Sequence, residues 1–284
     1  MSYPILTCTP KSLPQSRIVK AAQMAVSINP LNRPHVRRLA AMMGAEVPDK
    51  MRIAVIAGKF WGAGGVRLSV GFLDTNDAAL RARILQHMNA WSTRVNATFV
   101  LTNSADDADV RIARKQGDGY WSYVGTDIRH IARGQPTMNL DSFTMATPEK
   151  EYRRVVRHET GHTIGCMHEH MRRSLVNKID PVEAIAYYGR TQGWTPDEVR
   201  AQVLTPIEEA QLLGTAFADE NSIMCYQIPG TITKNGQPIP GGTDIDETDF
   251  QFMAGVYPKP AGGAAAGQTV KRKAARKAKK PRKR

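Results

Sequence analysis

Three histidines stand at spacings that allow them to bind one metal ion. His158 and His162 are four residues apart, so on a helix their rings project from the same face. Gly165 is a natural helix end, because glycine tolerates positive φ, and the chain can then turn back to bring His168 as a third ligand. Zinc accepts imidazole nitrogens, and three protein ligands leave a fourth position open, as catalysis requires. The sequence therefore predicts one Zn²⁺ per chain.

The acid next to the first ligand completes a pattern that is typical of hydrolytic zinc sites. Glu159 follows His158 directly, where its carboxylate reaches a water on the metal rather than the metal itself. Gly165 and His168 stand at two further positions that the pattern fixes. The extended pattern is therefore much more specific than an isolated HExxH. We expect Glu159 to act as general base towards the attacking water and then as acid towards the leaving amine.

Two segments together resemble a known enzyme family. HETGHTIGCMHEH (158–170) resembles the zinc motif of metzincin metalloproteases, and Glu169 indicates the astacin-like branch. SIMCY (222–226) resembles the Met-turn of that branch. The resemblance implies that Met224 lies beneath the metal and that Tyr226 donates a hydrogen bond to the oxyanion. It also implies a zinc metalloendopeptidase, whose partners are protein or peptide substrates.

Two weaker similarities extend the resemblance to about residues 51–258. GYWSYVG (119–125) resembles the edge strand that borders the substrate cleft, with Trp121, Ser122 and Tyr123 as candidate substrate contacts. An exposed strand edge can pair with an extended peptide. A structural strand with buried aromatic side chains explains the same residues equally well. The segment 248–257 resembles the closing helix of the domain.

The elements expected to position the site indicate an α+β fold. Apolar and β-branched runs predict strands at 51–56, 66–73, 97–102, 108–114 and 119–125. An apolar stripe with helical spacing predicts one backing helix over 77–95. A second helix is expected to begin at Thr147 and Pro148, with the hydroxyl as its cap, and to end at Gly165. We expect a metzincin-like domain: a mixed twisted sheet with a backing helix and an active-site helix, then a smaller, mostly irregular C-terminal subdomain.

Composition divides the chain into three parts. Residues 1–50 are expected to be an N-terminal extension, 51–258 the catalytic domain, and 259–284 a disordered basic tail. Ten Lys or Arg lie within 271–284, so this tail carries most of the formal net charge of +13. A basic run without aromatic residues is compatible with nucleic acid, an anionic surface or a plain solubility tail.

The three cysteines, Cys8, Cys166 and Cys225, are too few for a disulfide framework. Free thiols are the favoured interpretation, and a bond between Cys166 and Cys225 near the site is the alternative. Cys225 is also the candidate fourth zinc ligand of an alternative function. That alternative is a non-catalytic zinc-binding protein with a basic tail that binds nucleic acid or another anion, since structural zinc sites close with four ligands.

The location of the protein, its oligomeric state and the environment of residues 170–172 are predicted without a specific motif. No apolar run is long enough for a membrane helix, and no signal peptide is visible. We therefore favour a cytoplasmic monomer, with non-standard export as the alternative. His170 and Arg172 follow the zinc motif, and a solvated turn is favoured there over support of the site.

Overall fold

A computed structural model describes residues 8–9, 11–34, 57–207 and 218–260. The strand predicted at 51–56 lies outside the described residues, as does nearly all of the basic tail. Within the described ranges, no helix combines the length and the apolar character needed to cross a lipid bilayer.

A five-stranded mixed sheet is formed within residues 66–140. Its strands are β1 (Val66–Phe72), β2 (Ala97–Leu101), β3 (Val110–Ala113), β4 (Tyr120–Ser122) and β5 (Met138–Leu140). Their order is β2-β1-β3-β5-β4, with parallel pairs except for the antiparallel pair of β4 and β5. The α+β prediction is confirmed. Strand β5 was not predicted, because MNL is too short to show a period.

The backing helix α2 (Ala78–Met88) is shorter than predicted. Asp77 caps it by accepting from the N–H groups of Ala79 and Leu80. It ends near Asn89, whose side chain bonds both the N–H and the carbonyl of Phe99 on β2. The predicted apolar stripe nevertheless continues to Trp91, which is fully buried in a short 3₁₀ turn. The stripe thus packs on the sheet although the regular helix has ended.

The active-site helix consists of α3 (Glu149–Glu151), a π-helical turn (Tyr152–Val156) and α4 (Arg157–Thr163). Its predicted start was wrong by one residue. Pro148 is the N-cap and makes no side-chain cap, whereas the Thr147 hydroxyl accepts from the N–H of Thr144. The predicted end is confirmed: Gly165 has a φ of 109°, and a Cβ there would lie 2.8 Å from the Phe60 ring.

The C-terminal part follows the last metal-motif residues and has its own apolar core. It contains α5 (Arg173–Val176), α6 (Pro181–Gln192) and α7 (Pro196–Val199). The closing helix α8 (Glu247–Val256) instead packs in the apolar core of the sheet, through Met253 and Val256. Between these helices lie turns and two isolated bridges, Ile179 with Thr233 and Ile228 with Ile239. A capping box at Asp246 and Asp249 fixes the start of α8.

The N-terminal segment packs on the domain. Its helix α1 (Gln15–Ile28) lies against the 3₁₀ turn Gly125–His130, where Arg17 donates to the His130 carbonyl at 2.7 Å. Asn32 is fully buried and bonds the Ala25 carbonyl and both backbone polar groups of Phe60. These bonds hold the end of α1 against the segment at Phe60.

Candidate active site

The helix α4 and the loop after Gly165 bring three imidazoles together. The Nε2 atom of His168 lies 3.1 Å from that of His158 and 3.0 Å from that of His162. All three rings are buried. These two distances are close to the edge of about 3.3 Å in a tetrahedral site with zinc–nitrogen bonds of about 2.0–2.1 Å.

Backbone carbonyls fix the orientation of the two helical ligands. His158 Nδ1 lies 2.6 Å from the carbonyl of Ile223, and His162 Nδ1 lies 2.8 Å from that of Cys166. A carbonyl only accepts, so each Nδ1 carries the proton and each Nε2 keeps its lone pair for the metal. Burial lowers the pKa of His158 and His168 well below the ordinary value, and that of His162 to about 4. The rings are thus neutral, as metal ligands must be.

Glu159 lies beside these rings and is 1% exposed. Within the described part of the chain, neither of its carboxylate oxygens has a hydrogen-bond partner. Burial raises the pKa of Glu159 to about 8, an effect that the Cys8 thiol and the positive charge of Arg154 oppose. Burial of a carboxylate without hydrogen-bond partners costs free energy. Because this carboxylate lies next to three metal-binding nitrogens, we infer that it interacts with a cation and a water molecule.

The turn at 222–226 lies directly below α4, and its residues hold the site from underneath. The Asp249 carboxylate accepts from Ser222 Oγ at 2.6 Å and from the N–H of Ile223 at 2.9 Å. The Met224 carbonyl accepts from the N–H of Glu169 at 2.9 Å. Asp249, on α8, was not singled out from the sequence, because no spacing links it to a turn 26 residues earlier.

Gly161 is the point at which α4 touches this turn. A Cβ built at Gly161 lies 2.4 Å from Met224 Sδ, and it also meets Met224 Cε at 3.3 Å and the Trp91 ring at 3.4 Å. The absence of a side chain at Gly161 thus lets Met224 pack against α4.

We predict that Gly161→Ala lowers the free energy of unfolding by about 1–3 kcal/mol, because it overpacks the contact with Met224. The measurement is thermal and urea unfolding of metal-free protein. Gly255→Ala is the matched control, since no atom lies within 4 Å of its added Cβ; on α8 it should gain about 0.5–1 kcal/mol. Equal stability of the two variants would contradict the close contact.

Tyr226 lies over the third ligand. Its ring is 4.5 Å from that of His168, and it stacks on His170 at 3.8 Å. The expectation of a solvated turn at 170–172 was wrong. His170 is fully buried between Tyr226 and the Gln202 carbonyl, and Arg172 is 5% exposed and pairs with Glu169. Glu169 also accepts from the N–H of Asp219, so the turn supports the site from the side.

A fourth potential ligand, which was not predicted, comes from the N-terminal segment. The Cys8 Sγ and one ring nitrogen from each of the three histidines all lie within 4.8 Å of one another. No local pattern could have revealed this, because Cys8 is separated from His158 by 150 residues of chain. Cys225 does not belong to this group, and its Sγ points to the carbonyl of Tyr226. Cys166 and Cys225 are free, so the alternative disulfide does not form.

Strand β4 borders the site, at the edge of the sheet opposite β2. Trp121 and Ser122 are buried, and Ser122 Oγ lies 3.2 Å from Thr163 Oγ1 at the end of α4. The outer side of β4 is paired in parallel with the N-terminal segment, through bridges from Cys8 to Tyr120 and from Lys11 to Tyr123. The edge is thus able to bind an extended peptide, and part of this chain already binds there.

Comparison with known proteins identifies the family. The sequence profile of the peptidase family described as Astacin matches residues 58–235, more than half of the chain. The chain belongs to the astacin family. The matched range contains the three histidines, Glu159 and the turn at 222–226. The predicted branch, the α+β fold and the class of zinc metalloendopeptidase are confirmed by this match.

Solved structures and a curated relative agree with the astacin assignment. One structure of myroilysin is 30% identical, with a TM-score of 0.66, over 72% of this chain and 97% of that one. A second structure of myroilysin is 31% identical, with a TM-score of 0.54, over 71% and 86%. Zinc metalloproteinase nas-27 of Caenorhabditis elegans is 30% identical over 92 residues, 32% of this chain. The match spans only 19% of that relative's length.

Proposed function

We propose that this astacin-family chain cleaves internal peptide bonds, with Glu159 as general base and Tyr226 as donor to the oxyanion. One observation carries the proposal. Three buried, neutral imidazoles converge on one point, and the adjacent buried carboxylate of Glu159 has no nitrogen or oxygen partner among the described residues. This set of donors fits zinc, which prefers neutral imidazole in tetrahedral geometry. His158, His162 and His168 would hold the ion.

Zinc, when bound, supplies a Lewis acid that acidifies water and polarises the scissile carbonyl. Glu159 would take the proton of the attacking water and pass it to the leaving amine. A dication beside the carboxylate also offsets the burial that raises the pKa of Glu159, since an opposite charge favours the ionised form. Glu159 is thereby able to act as a base at neutral pH.

Tyr226 would stabilise the charge that develops on the carbonyl oxygen. Burial raises the pKa of Tyr226 well above its ordinary value, so the hydroxyl keeps its proton and is able to donate it in a hydrogen bond. Stacking on His170 and contact with His168 hold the ring over the third ligand. We propose that the backbone of β4, at Trp121, Ser122 and Tyr123, aligns the substrate as an added strand.

A non-catalytic zinc protein is the second candidate, and Cys8 is the observation that favours it. Three imidazoles and one thiolate make a closed set of four ligands, which is typical of a structural site. Glu159 is the observation against this candidate. A zinc site closed by four ligands does not require a buried carboxylate without hydrogen-bond partners beside it. The proposed nucleic-acid or anion contact of the tail concerns residues outside the described ranges.

Metal removal separates the two candidates. We predict one zinc per chain, and cleavage of denatured casein by the Cys8→Ser variant, in which no thiol competes with water for the metal. A chelator should abolish the cleavage and added zinc should restore it, because the ion lowers the pKa of water and stabilises the transition state. Metal analysis and peptide release measure the two effects. Stoichiometric zinc without cleavage by Cys8→Ser would favour the structural site.

A further inference from the structure

The end of α4 leads directly into the loop that carries the third histidine. The last carbonyls of a helix have no partners within the helix and need donors from elsewhere. The Gly161 carbonyl accepts from the N–H of Cys166 at 2.9 Å. The His162 carbonyl accepts from the N–H of Gly165 at 2.9 Å. These two bonds form a Schellman motif, and they leave the next two carbonyls of the chain to find other donors.

Two aromatic side chains from distant parts of the chain supply these donors. The Trp61 indole Nε1 donates to the Thr163 carbonyl at 2.9 Å. The Tyr257 hydroxyl donates to the Ile164 carbonyl at 2.7 Å. The same hydroxyl accepts from the backbone N–H of Trp61 at 2.8 Å, so the two aromatic residues form one connected network. All four residues are buried, so each bond satisfies a carbonyl that water does not reach.

Packing in the apolar core of the sheet holds both donors in place. The Phe60 ring meets the Tyr257 ring edge-on, with centroids 6.4 Å apart. The same Phe60 ring lies against Gly165, where an added Cβ would be 2.8 Å away. The Trp61 carbonyl accepts from Asn29 Nδ2 at 2.6 Å, which fixes the backbone of the indole donor. The positions of the two donors are therefore set by contacts outside the metal site.

The turn that these donors hold leads to two of the metal ligands. Two residues after Ile164, the Cys166 carbonyl lies 2.8 Å from His162 Nδ1 and sets the orientation of that ring. Two residues further along, His168 places its Nε2 atom 3.0 Å from that of His162. A shift of the Ile164 carbonyl would therefore displace the partner of one ligand and the backbone of another. Groups that orient metal ligands have large effects on metal affinity.

We propose that Trp61 and Tyr257 are positioning residues for the zinc site. They hold the turn after α4 so that the rings of His162 and His168 converge. Both act through backbone carbonyls and not through contact with the reacting atoms. The effect on catalysis rests on the proposed peptidase function. No local pattern marks these residues, since they lie 102 and 93 positions from the carbonyls that they bind.

Zinc affinity tests the proposal apart from activity, with all variants made in the Cys8→Ser chain so that no thiol contributes. Tyr257→Phe should bind zinc about tenfold more weakly in competition with a chromophoric chelator, because loss of an orienting group lowers metal affinity. Tyr152→Phe is the matched control. Tyr152 is also fully buried, and its hydroxyl donates to the Thr144 carbonyl at 2.9 Å, near the start of the active-site helix. Both variants should lower the Tm of metal-free protein, since each leaves a buried carbonyl unpaired. Only Tyr257→Phe should weaken zinc binding.

Trp61→Phe removes the bond to the Thr163 carbonyl and is an independent second variant. It should also weaken zinc binding, and at saturating zinc both variants should lower kcat with little change in KM, because the substrate contacts on β4 are unaltered. Unchanged zinc affinity in Trp61→Phe and Tyr257→Phe, or an equal loss in Tyr152→Phe, would overturn the proposal. A parent that binds zinc but cleaves no casein would refute the peptidase function, while the zinc affinities would still decide the positioning role.

Discussion

Glu159→Gln, placed in the Cys8→Ser chain, is expected to reduce kcat about 100- to 10,000-fold, the range that general acid–base catalysis contributes. The introduced amide would have nearly the same size and would keep the hydrogen-bonding oxygen, but it could not accept the proton of the attacking water. Burying the neutral amide costs less free energy than burying the charged carboxylate, so the variant should keep the fold. The measurement is the steady-state cleavage rate of a peptide, together with metal content.

Glu149→Gln is the matched control for this prediction. Glu149 lies on α3 of the same helix, but it is half exposed and pairs with Arg83 and His87 away from the metal ligands. It should leave cleavage nearly unchanged, because exposed ion pairs contribute little. The base assignment would be wrong if Glu159→Gln kept its zinc and cleaved peptide at a rate close to that of its parent.

Tyr226→Phe has the second largest expected effect. Removal of one oxyanion donor costs about 100- to 1,000-fold in kcat, or ~3 kcal/mol of transition-state stabilisation. The KM should change little, because the hydroxyl interacts with charge that develops only in the transition state. The stacking of the ring on His170 survives the substitution, so the site should keep its shape. The kcat and KM of both chains, again in the Cys8→Ser background, provide the measurement.

Tyr187→Phe tests whether loss of any tyrosine hydroxyl has this effect. Tyr187 packs edge-on against Tyr188 on α6, away from the three imidazoles. We expect its kcat to stay within about twofold of the parent, as for substitutions outside the site. A rise in KM at constant kcat for Tyr226→Phe would show that the hydroxyl binds substrate and does not stabilise the transition state.

The metal ligands were predictable because their geometry is local. His158 and His162 lie on the same face of one helix because they are four residues apart. Gly165 then turns the chain so that the ring of His168 reaches the other two rings. The backing stripe over Leu80, Ile84 and Met88 was predictable for the same reason. Each of these predictions used contacts between residues fewer than about a dozen positions apart.

The parts that could not be predicted depend on contacts across the chain. Cys8 reaches the site through strand pairing with β4, and Asp249 reaches the Met-turn from the closing helix. The short strand β5 becomes a strand only because β3 and β4 flank it. Local sequence spacing does not reveal such pairings, because the partners lie far apart along the chain and meet only in the folded molecule.

The error at residues 170–172 has a related cause. Isolated His and Arg side chains are mostly exposed, which favoured a solvated turn. In the structure, the Gln202 carbonyl, the Tyr226 ring and the Glu169 carboxylate provide partners for them. A buried polar side chain is stable when such partners exist, and these partners come from three different parts of the chain.

X-ray absorption at the zinc edge tests whether three histidines hold a zinc ion with one position for exchange. We expect three imidazole nitrogens at about 2.0–2.1 Å and one sulfur at about 2.3 Å in the intact chain. In Cys8→Ser, the sulfur should be replaced by oxygen while the three nitrogens stay. Fewer than three imidazoles in either protein, or a sulfur shell that survives the loss of Cys8, would show that the metal is held by other residues.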